Sequence, residues 1–381
     1  MMKGVNPIDL RKEYRIRHYR PGDEKGILEL LDLVFDGWPR MNLSCTPLDH
    51  WRWKYEDNPL KKIYVTVAES DHKIVGCQHG ILHRIKIGDE TVNCSNVADL
   101  AVHPNFRRMG IWNKMNEIRG EMWDELGVKL SYWMTGNPIV IEKYIDVRPN
   151  FPNPLINLVK IRDIDLHLEK MPMEREWFIK LGFKTVRTLN DLGNRFRRSQ
   201  PKNPDVRIEE IEYFDEGMDQ LWREVSDQYR IIIERKRDYL NWRYCDPRAG
   251  DFTVKQAEER GQVQGYIVLK INRYREDYSV GFIVDLLTVP NRPDVTHALI
   301  SDAVGFFDEH KTNIVNSLVV KAHPYENLFK RHGFVDSRIN VRVFFNTSEI
   351  GDKFDKLKNT RANSGYFSWG DHDTLPITGP E

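Results

Sequence analysis

The chain repeats itself. Trp53-Lys-Tyr55 returns as Trp242-Arg-Tyr244, Ala68-Glu69 as Ala257-Glu258 and Gly76 as Gly265, each 189 positions later. Asp99-Leu100, Pro104 and Pro138 return as Asp285-Leu286, Pro290 and Pro324, each 186 positions later. An offset this steady across separate landmarks marks a duplicated unit. With 381 residues the chain is also too long for one typical domain, so two similar units are expected.

Composition supplies the cores and removes several functions. Hydrophobic residues make up 40% and aromatics 11%, ten Trp among them, enough for two apolar interiors. Lys+Arg and Asp+Glu are both 57, and this balance points to neither nucleic acid nor a membrane surface. Cys45, Cys77, Cys94 and Cys245 have no CxxC spacing and read as reduced thiols of a cytoplasmic protein. His79 and His83 have a ligand-like spacing. On a strand, however, four residues span about 13 Å, too far to share one ion, so no metal is expected. The first residues, MMKGVNPIDLRKEY, hold no apolar leader, and no uncharged apolar run approaches a membrane span.

Each unit mixes strands and helices. Residues 1–13 are a polar tail. Tyr14 to Tyr19 alternates as a strand, Arg20-Pro-Gly-Asp23 breaks it, and Ile27, Leu28, Leu31, Val34 and Phe35 form one helical face. Pro47 to Tyr55 is a short aromatic helix, and Lys62–Ala68 and Lys73–Ile87 form an antiparallel pair. Val97 to Val102 is a strand ended by His103-Pro104, and Asn105 to Gly110 is a loop. Ile111, Met115, Ile118, Met122 and Leu126 then mark one helix closed by Gly127. Leu130–Met134 and Leu155–Ile161 are further strands, with a helix over Ile139–Tyr144. Glu169 to Leu192 favours a helix, and Arg195 to Pro204 a basic, Pro-broken linker.

The loop carries the chemistry. Arg107 and Arg108 precede Gly110, which lets the backbone turn into a helix whose first amides are free. Two guanidiniums beside such amides make a seat for a phosphate or diphosphate. The stretch LAVHPNFRRMGIW also resembles the acyl-CoA loop of the GNAT superfamily of N-acyltransferases, whose pattern is Arg/Gln-x-x-Gly-x-Gly/Ala after a strand ending in Val-x-Pro. Arg107 takes the first place and Gly110 the fourth. Trp112 stands where the family prefers Gly or Ala, so its ring either narrows the pantetheine channel or points into the core. The resemblance spans residues 14–164.

It implies an α/β (α+β, mixed-sheet) fold. The chain then reads as two tandem GNAT-like domains, 14–165 and 206–346, joined by a helix and linker over 166–205. A polar tail follows over 347–381. Each domain would be a mostly antiparallel mixed sheet flanked by helices. The resemblance places acyl-CoA, acetyl-CoA being the common donor, on Leu100, Ala101, Val102, Arg107, Arg108, Met109, Gly110, Ile111 and Trp112. In the family an Asn follows the next strand and a Tyr comes seven residues later. Asn137 and Tyr144 have that spacing, while the family's later Gly-Phe is replaced by Arg148-Pro149.

The second copy departs where chemistry would sit. In place of Asn105 to Gly110 it has Asn291-Arg-Pro-Asp-Val-Thr296: Pro293 lacks an N–H and Asp294 repels phosphate. Catalysis therefore belongs to the first copy. Tyr144 is the candidate acid for a departing thiolate. Asp99 is the candidate base, although Asp285 holds the same place in the degenerate copy, as a structural role would require. His103 and a water chain are the alternatives, and Glu142 lies near by sequence. The expected reaction is N-acyl transfer to a small amine such as an amino sugar, an amino acid or an aminoglycoside-like compound. The alternatives are a non-catalytic acyl-CoA binder and an aminoacyl transferase acting on cell-wall precursors. In the tail, the aromatic and acidic cluster Tyr366 to Asp373 is odd for a disordered end, and two readings stand open: a floppy tail, or docking against the body at the acceptor cleft.

Overall fold

The computed structural model describes residues 13–39, 43–162, 188, 191–197, 203, 205–275, 278–347 and 364–373. Strands from both halves of the chain join one sheet. The first half contributes β1 (Arg15–His18), β2 (Tyr64–Ser70), β3 (Lys73–Ile87), β4 (Glu90–Val102), β5 (Val128–Thr135) and β6 (Leu155–Ile161). The second contributes β7 (Val206–Ile211), β8 (Ile231–Ile233), β9 (Thr253–Glu259), β10 (Gln262–Arg275), β11 (Tyr278–Thr288), β12 (Ile314–Val320), β13 (Val335–Thr347) and β14 (Gly365–Tyr366). The order across the sheet is β1-β2-β3-β4-β5-β13-β6-β12-β11-β10-β9-β7, with β8 bridging β3 and β14 at the side.

That order reads the same from either end once β1 is matched with β7, β2 with β9, β3 with β10, β4 with β11, β5 with β12 and β13 with β6. The halves have exchanged their last strands. β13 covers the edge of β5 with Arg342–Thr347, and its earlier residues pair with β6, whose other edge lies on β12. The sequence placed Leu155–Ile161 in the first unit. It forms the expected strand, but on the second unit's side, because the long β13 stands between it and β5. A cut near residue 165 therefore passes through the sheet rather than between two bodies.

The repeated motif meets itself at the centre. Trp53 and Trp242 stack with centroids 5.0 Å apart and planes 19° from parallel. Trp53 Nε1 donates to the Trp242 carbonyl (2.7 Å), and Trp242 Nε1 donates to the Trp53 carbonyl (2.9 Å). Reciprocal contacts between equivalent residues are what a two-fold relation imposes.

Helices cover both faces of the first half. On one face, α1 (Glu24–Phe35) and α2 (Pro47–Tyr55) bury Ile27, Leu30, Leu31, Trp51 and Tyr55 against Val65, Val67, Cys77, Ile81 and Ala98. On the other, α3 (Ile111–Glu117) buries Ile111 and Met115 against Ala68 and Val75. Next to it, α4 (Arg119–Leu126) buries Met122 and Trp123 against Tyr64, Leu82 and Val128. The single helix expected over Ile111–Leu126 is thus two, broken at Ile118 between the weak helix formers Asn116 and Gly120. α5 (Pro138–Tyr144) follows β5.

In the second half, α6 (Gly217–Ser226), α7 (Arg237–Leu240), α8 (Pro293–Glu309) and α9 (Pro324–Arg331) take corresponding places. Residues 364–373 of the tail are docked, with β14 beside β8 and Tyr366, Phe367, Trp369 and Asp371 buried. The N-terminal tail up to residue 12, most of the 169–192 helix and most of the linker lie outside the described residues. Among those described, no helix is long and apolar enough to cross a membrane, and no cluster of three metal-ligating side chains occurs. All four cysteines are free thiols.

Candidate active site

β4 and β5 run parallel but separate. They pair only where Asn93–Asn96 face Val128–Tyr132. Beyond that, β5 stays with β13 while β4 stays with β3, and Val97–Val102 turns one backbone edge toward a V-shaped notch. Six residues at about 3.3 Å each make that edge about 20 Å long. Leu100, on this edge, is 39% exposed.

A bulge shapes the edge. Cys77 faces Ala101 but His79 faces Ala98, so β4 carries one extra residue, and Asp99 takes the strained φ of +42°. The Asp99 carboxylate accepts hydrogen bonds from Trp38 Nε1 (3.0 Å), Lys54 Nζ (2.8 Å) and the Tyr55 hydroxyl. Burial alone would push its pKa up. The Lys54 ammonium beside it wins, with help from His79 and the Tyr55 hydroxyl, and holds it at about 2. A carboxylate so neutralised and so fully hydrogen-bonded is a poor proton acceptor. Lys54, Tyr55 and Trp38 were not singled out from sequence, although the repeated Trp-Lys/Arg-Tyr motif was the available signal.

The loop sits at the open end of the notch. His103 N donates to the Val75 carbonyl (2.9 Å), and Pro104–Phe106 forms one tight turn. Arg108 (φ +67°) and Gly110 (φ +78°) then take left-handed conformations, which Gly tolerates best. Tyr14 holds the loop by donating its hydroxyl to the Met109 carbonyl (2.7 Å). Arg107 and Arg108 are exposed, and no carboxylate among the described residues pairs with either. Arg107 donates only to the Val102 carbonyl (3.3 Å). The first intrahelical bond runs from Lys114 N to the Gly110 carbonyl, leaving the Ile111, Trp112 and Asn113 amides outside the helical ladder. Trp112 is 41% exposed and belongs to no core cluster.

Asn137 and Tyr144 flank the β5 side. Asn137 Oδ1 accepts from Ile139 N (3.0 Å) and Val140 N (3.3 Å), so its side chain caps α5 and is committed to that job. Tyr144, half-buried, leans edge-on against Trp133 (6.2 Å) and Phe344 (6.4 Å). Trp133 is the first β5 residue past the point of divergence, and the Tyr144 hydroxyl has no partner among the described residues.

The second half contains a matching notch that is filled. β11 pairs with β12 only over Val280–Ile283. Farther along, the Thr288 amide donates to the Tyr325 hydroxyl (3.0 Å) and the Leu286 amide to the Tyr366 hydroxyl (3.2 Å). The arginine of its loop is spent: Arg292 pairs with Glu259 (2.9 Å) and Asp294 (2.8 Å). Asp285 sits at a bulge equivalent to that of Asp99 and takes the Tyr244 hydroxyl (3.1 Å) as Asp99 takes Tyr55.

Residues 15–144 match the family model described as the acetyltransferase (GNAT) domain. That segment is therefore a GNAT domain. Solved structures share the chain's fold across most of its length. Saccharomyces cerevisiae N-myristoyltransferase with bound myristoyl-CoA superposes with a TM-score of 0.58 at 11% identity, over 90% of this chain and 81% of that one. A conserved protein of unknown function from Enterococcus faecalis V583, titled a probable N-acyltransferase, gives 0.59 at 10% identity, over 89% and 73%. A GCN5-related N-acetyltransferase from Anabaena variabilis gives 0.56 at 12% identity, over 88% and 73%. No curated protein matches the chain. The matched GNAT segment contains both strands of the notch, the arginine loop, Asp99 and Tyr144.

Proposed function

We propose that this protein transfers an acyl group, acetyl in the first instance, from acyl-CoA to the amine of a small acceptor. We also propose that its halves are two GNAT units of which only the first is catalytic. The observation that carries this is the contrast between the notches: amides of the rear notch are taken by tyrosine hydroxyls, whereas the front notch has a β4 edge unpaired among the described residues and ending in two arginines with no carboxylate partner among them. The diphosphate of CoA sits on Arg107, Arg108 and the amides of Gly110 to Trp112, with Met109 and Ile111 fixing the turn. The pantetheine arm pairs along Leu100, Ala101 and Val102. The exposed indole of Trp112 lies beside this path rather than in the core.

Transfer needs a positioned amine, a polarised carbonyl and two proton movements. The amine nitrogen attacks the thioester carbon, the C–N bond forms, and the C–S bond breaks with its electron pair on sulfur. Backbone N–H groups at the β4 bulge stabilise the oxyanion, and Tyr144 protonates the leaving thiolate. Asp99 acts by position: it fixes Lys54, Tyr55 and Trp38 and holds the bulge in shape. The proton lost by the amine leaves through water.

The test is thermal-shift titration of the full chain with CoA, followed by an acetyl-CoA assay across amines with detection of free thiol. Saturating CoA at a hundredfold excess over its Kd should stabilise the protein by about 2.7 kcal/mol. Arg107→Glu combined with Gly110→Asp should remove that shift while the unliganded melting temperature stays close to wild type. Unchanged CoA affinity in the double variant would defeat the assignment.

A further inference from the structure

A small chamber lies under the tail beside the vertex of the front notch, its wall largely apolar (Trp53, Ile81, Trp242) with a few polar groups set into it. Asn96 and Tyr132, the last paired residues of β4 and β5, line it together with His83, Tyr239, Arg243 and Asp371. Its volume is about 20 Å³, room for one water or one amino group.

One atom in it is unsatisfied, and the hydrogen bonds around it fix its state. The Tyr132 hydroxyl lies 3.1 Å from the Asp371 carbonyl and 3.2 Å from His83 Nε2. A carbonyl can only accept, so the single Tyr132 proton goes there and His83 Nε2 must donate to Tyr132. His83 Nδ1 is then left as a bare lone pair. That atom is buried, the residue being 2% exposed, and has no partner among the described residues. Burial, reinforced by Arg235 and Arg243, pushes the His83 pKa down to about 3, so the ring stays neutral and Nδ1 stays an acceptor at neutral pH. An unpaired buried acceptor calls for an N–H or O–H donor.

We propose that this chamber receives the amino group of the acceptor, with His83 Nδ1 accepting one of its N–H hydrogens so that the nitrogen lone pair faces the thioester in the notch. The inference rests on the acyl-CoA reading above and adds the acceptor's place. The few polar groups suit the amino nitrogen, and the apolar wall suits the carbon that bears it. The small volume selects a primary amine on an unbranched carbon, and the Arg243 guanidinium disfavours a second cationic group close by.

The experiment uses the full chain with ¹⁵N-labelled histidine and long-range proton–nitrogen NMR, with ethylamine as the probe, each with and without CoA. The His83 signals, assigned by their loss in His83→Phe, should show the Nε2–H tautomer, and the Nδ1 resonance should move saturably as ethylamine is added. Tyr132→Phe, which removes the group fixing the tautomer, should bring in the Nδ1–H form and weaken the ethylamine response at least 10-fold. In turnover, His83→Phe should raise the KM for ethylamine at least 10-fold with the CoA-induced thermal shift intact. A protonated Nδ1 in the wild-type protein would overturn the proposal. So would an Nδ1 signal indifferent to ethylamine, as a resident water alone would give. Because the wild-type titration with ethylamine is read without CoA, loss of the CoA shift alone would count against the acyl-CoA reading and not against the amine site.

Discussion

At the scale of single residues, the site separates groups held for shape from groups left free. Asp99 is held. Replacing it with Asn deprives the buried Lys54 ammonium of its hydrogen-bonded carboxylate, and we expect a loss of about 3 kcal/mol in urea unfolding. Its carboxylate stabilises the fold above the ordinary Asp pKa, and that contribution fades as pH falls toward about 2, the native value. If Asp99 only positions its neighbours, the pH–rate profile of D99N should keep its limbs while the rate drops. Tyr144 is free. Tyr144→Phe should lower kcat at least 10-fold with the CoA thermal shift unchanged, and equal turnover would remove it from the mechanism.

At the scale of elements, the tail is part of the scaffold. Arg235, fully buried, pairs with Asp371 (2.8 Å) and Asp285 (3.3 Å), while Arg243 donates to the Gly370 carbonyl (3.1 Å) and the His372 carbonyl (3.2 Å). Deleting residues 364–381 strips Arg235 of Asp371 and β8 of its partner β14. The truncated chain should lose several kcal/mol and populate aggregates on size-exclusion chromatography. Much at this scale was legible in advance. Periodicity located the paired strands of the first half, and Gly110 and Gly127, both at positive φ, announced the turns at which α3 begins and α4 ends. The exchange of β6 and β13 was not legible, because period-two alternation says that a strand exists but not which edge it joins. Nor was the setting of Asp99, which depends on a bulge and on donors 44, 45 and 61 residues away in sequence. His83, read only as half of a failed metal pair, drew attention for the wrong chemistry.

At the scale of the whole molecule, two consequences can be measured. His50, His79, His83, His323 and His332 are all buried with pKa values depressed to about 3–4, chiefly by burial. Native histidines stay neutral while unfolded ones take up protons near pH 6.5. Stability is therefore fully present above that pH and is lost as pH falls toward 4. Denaturation midpoints measured from pH 7 down to 4 should fall steeply, and a flat profile would contradict the burial of these rings. The second consequence concerns cooperativity. Because each half is completed by the other's strand, calorimetry should show one transition, and residues 1–165 expressed alone should lack a cooperative melt.

The exchanged strands also set a timetable for synthesis. β5 ends at Thr135, but the strand that closes its edge begins at Val335. While the ribosome makes the intervening 199 residues, at about 5–20 residues per second, the nascent chain shows an unpaired β edge for roughly 10–40 s. Such an edge invites pairing with a neighbouring nascent chain. Translation speed and chaperone supply, more than the equilibrium stability of the finished protein, should govern how much active material a cell recovers.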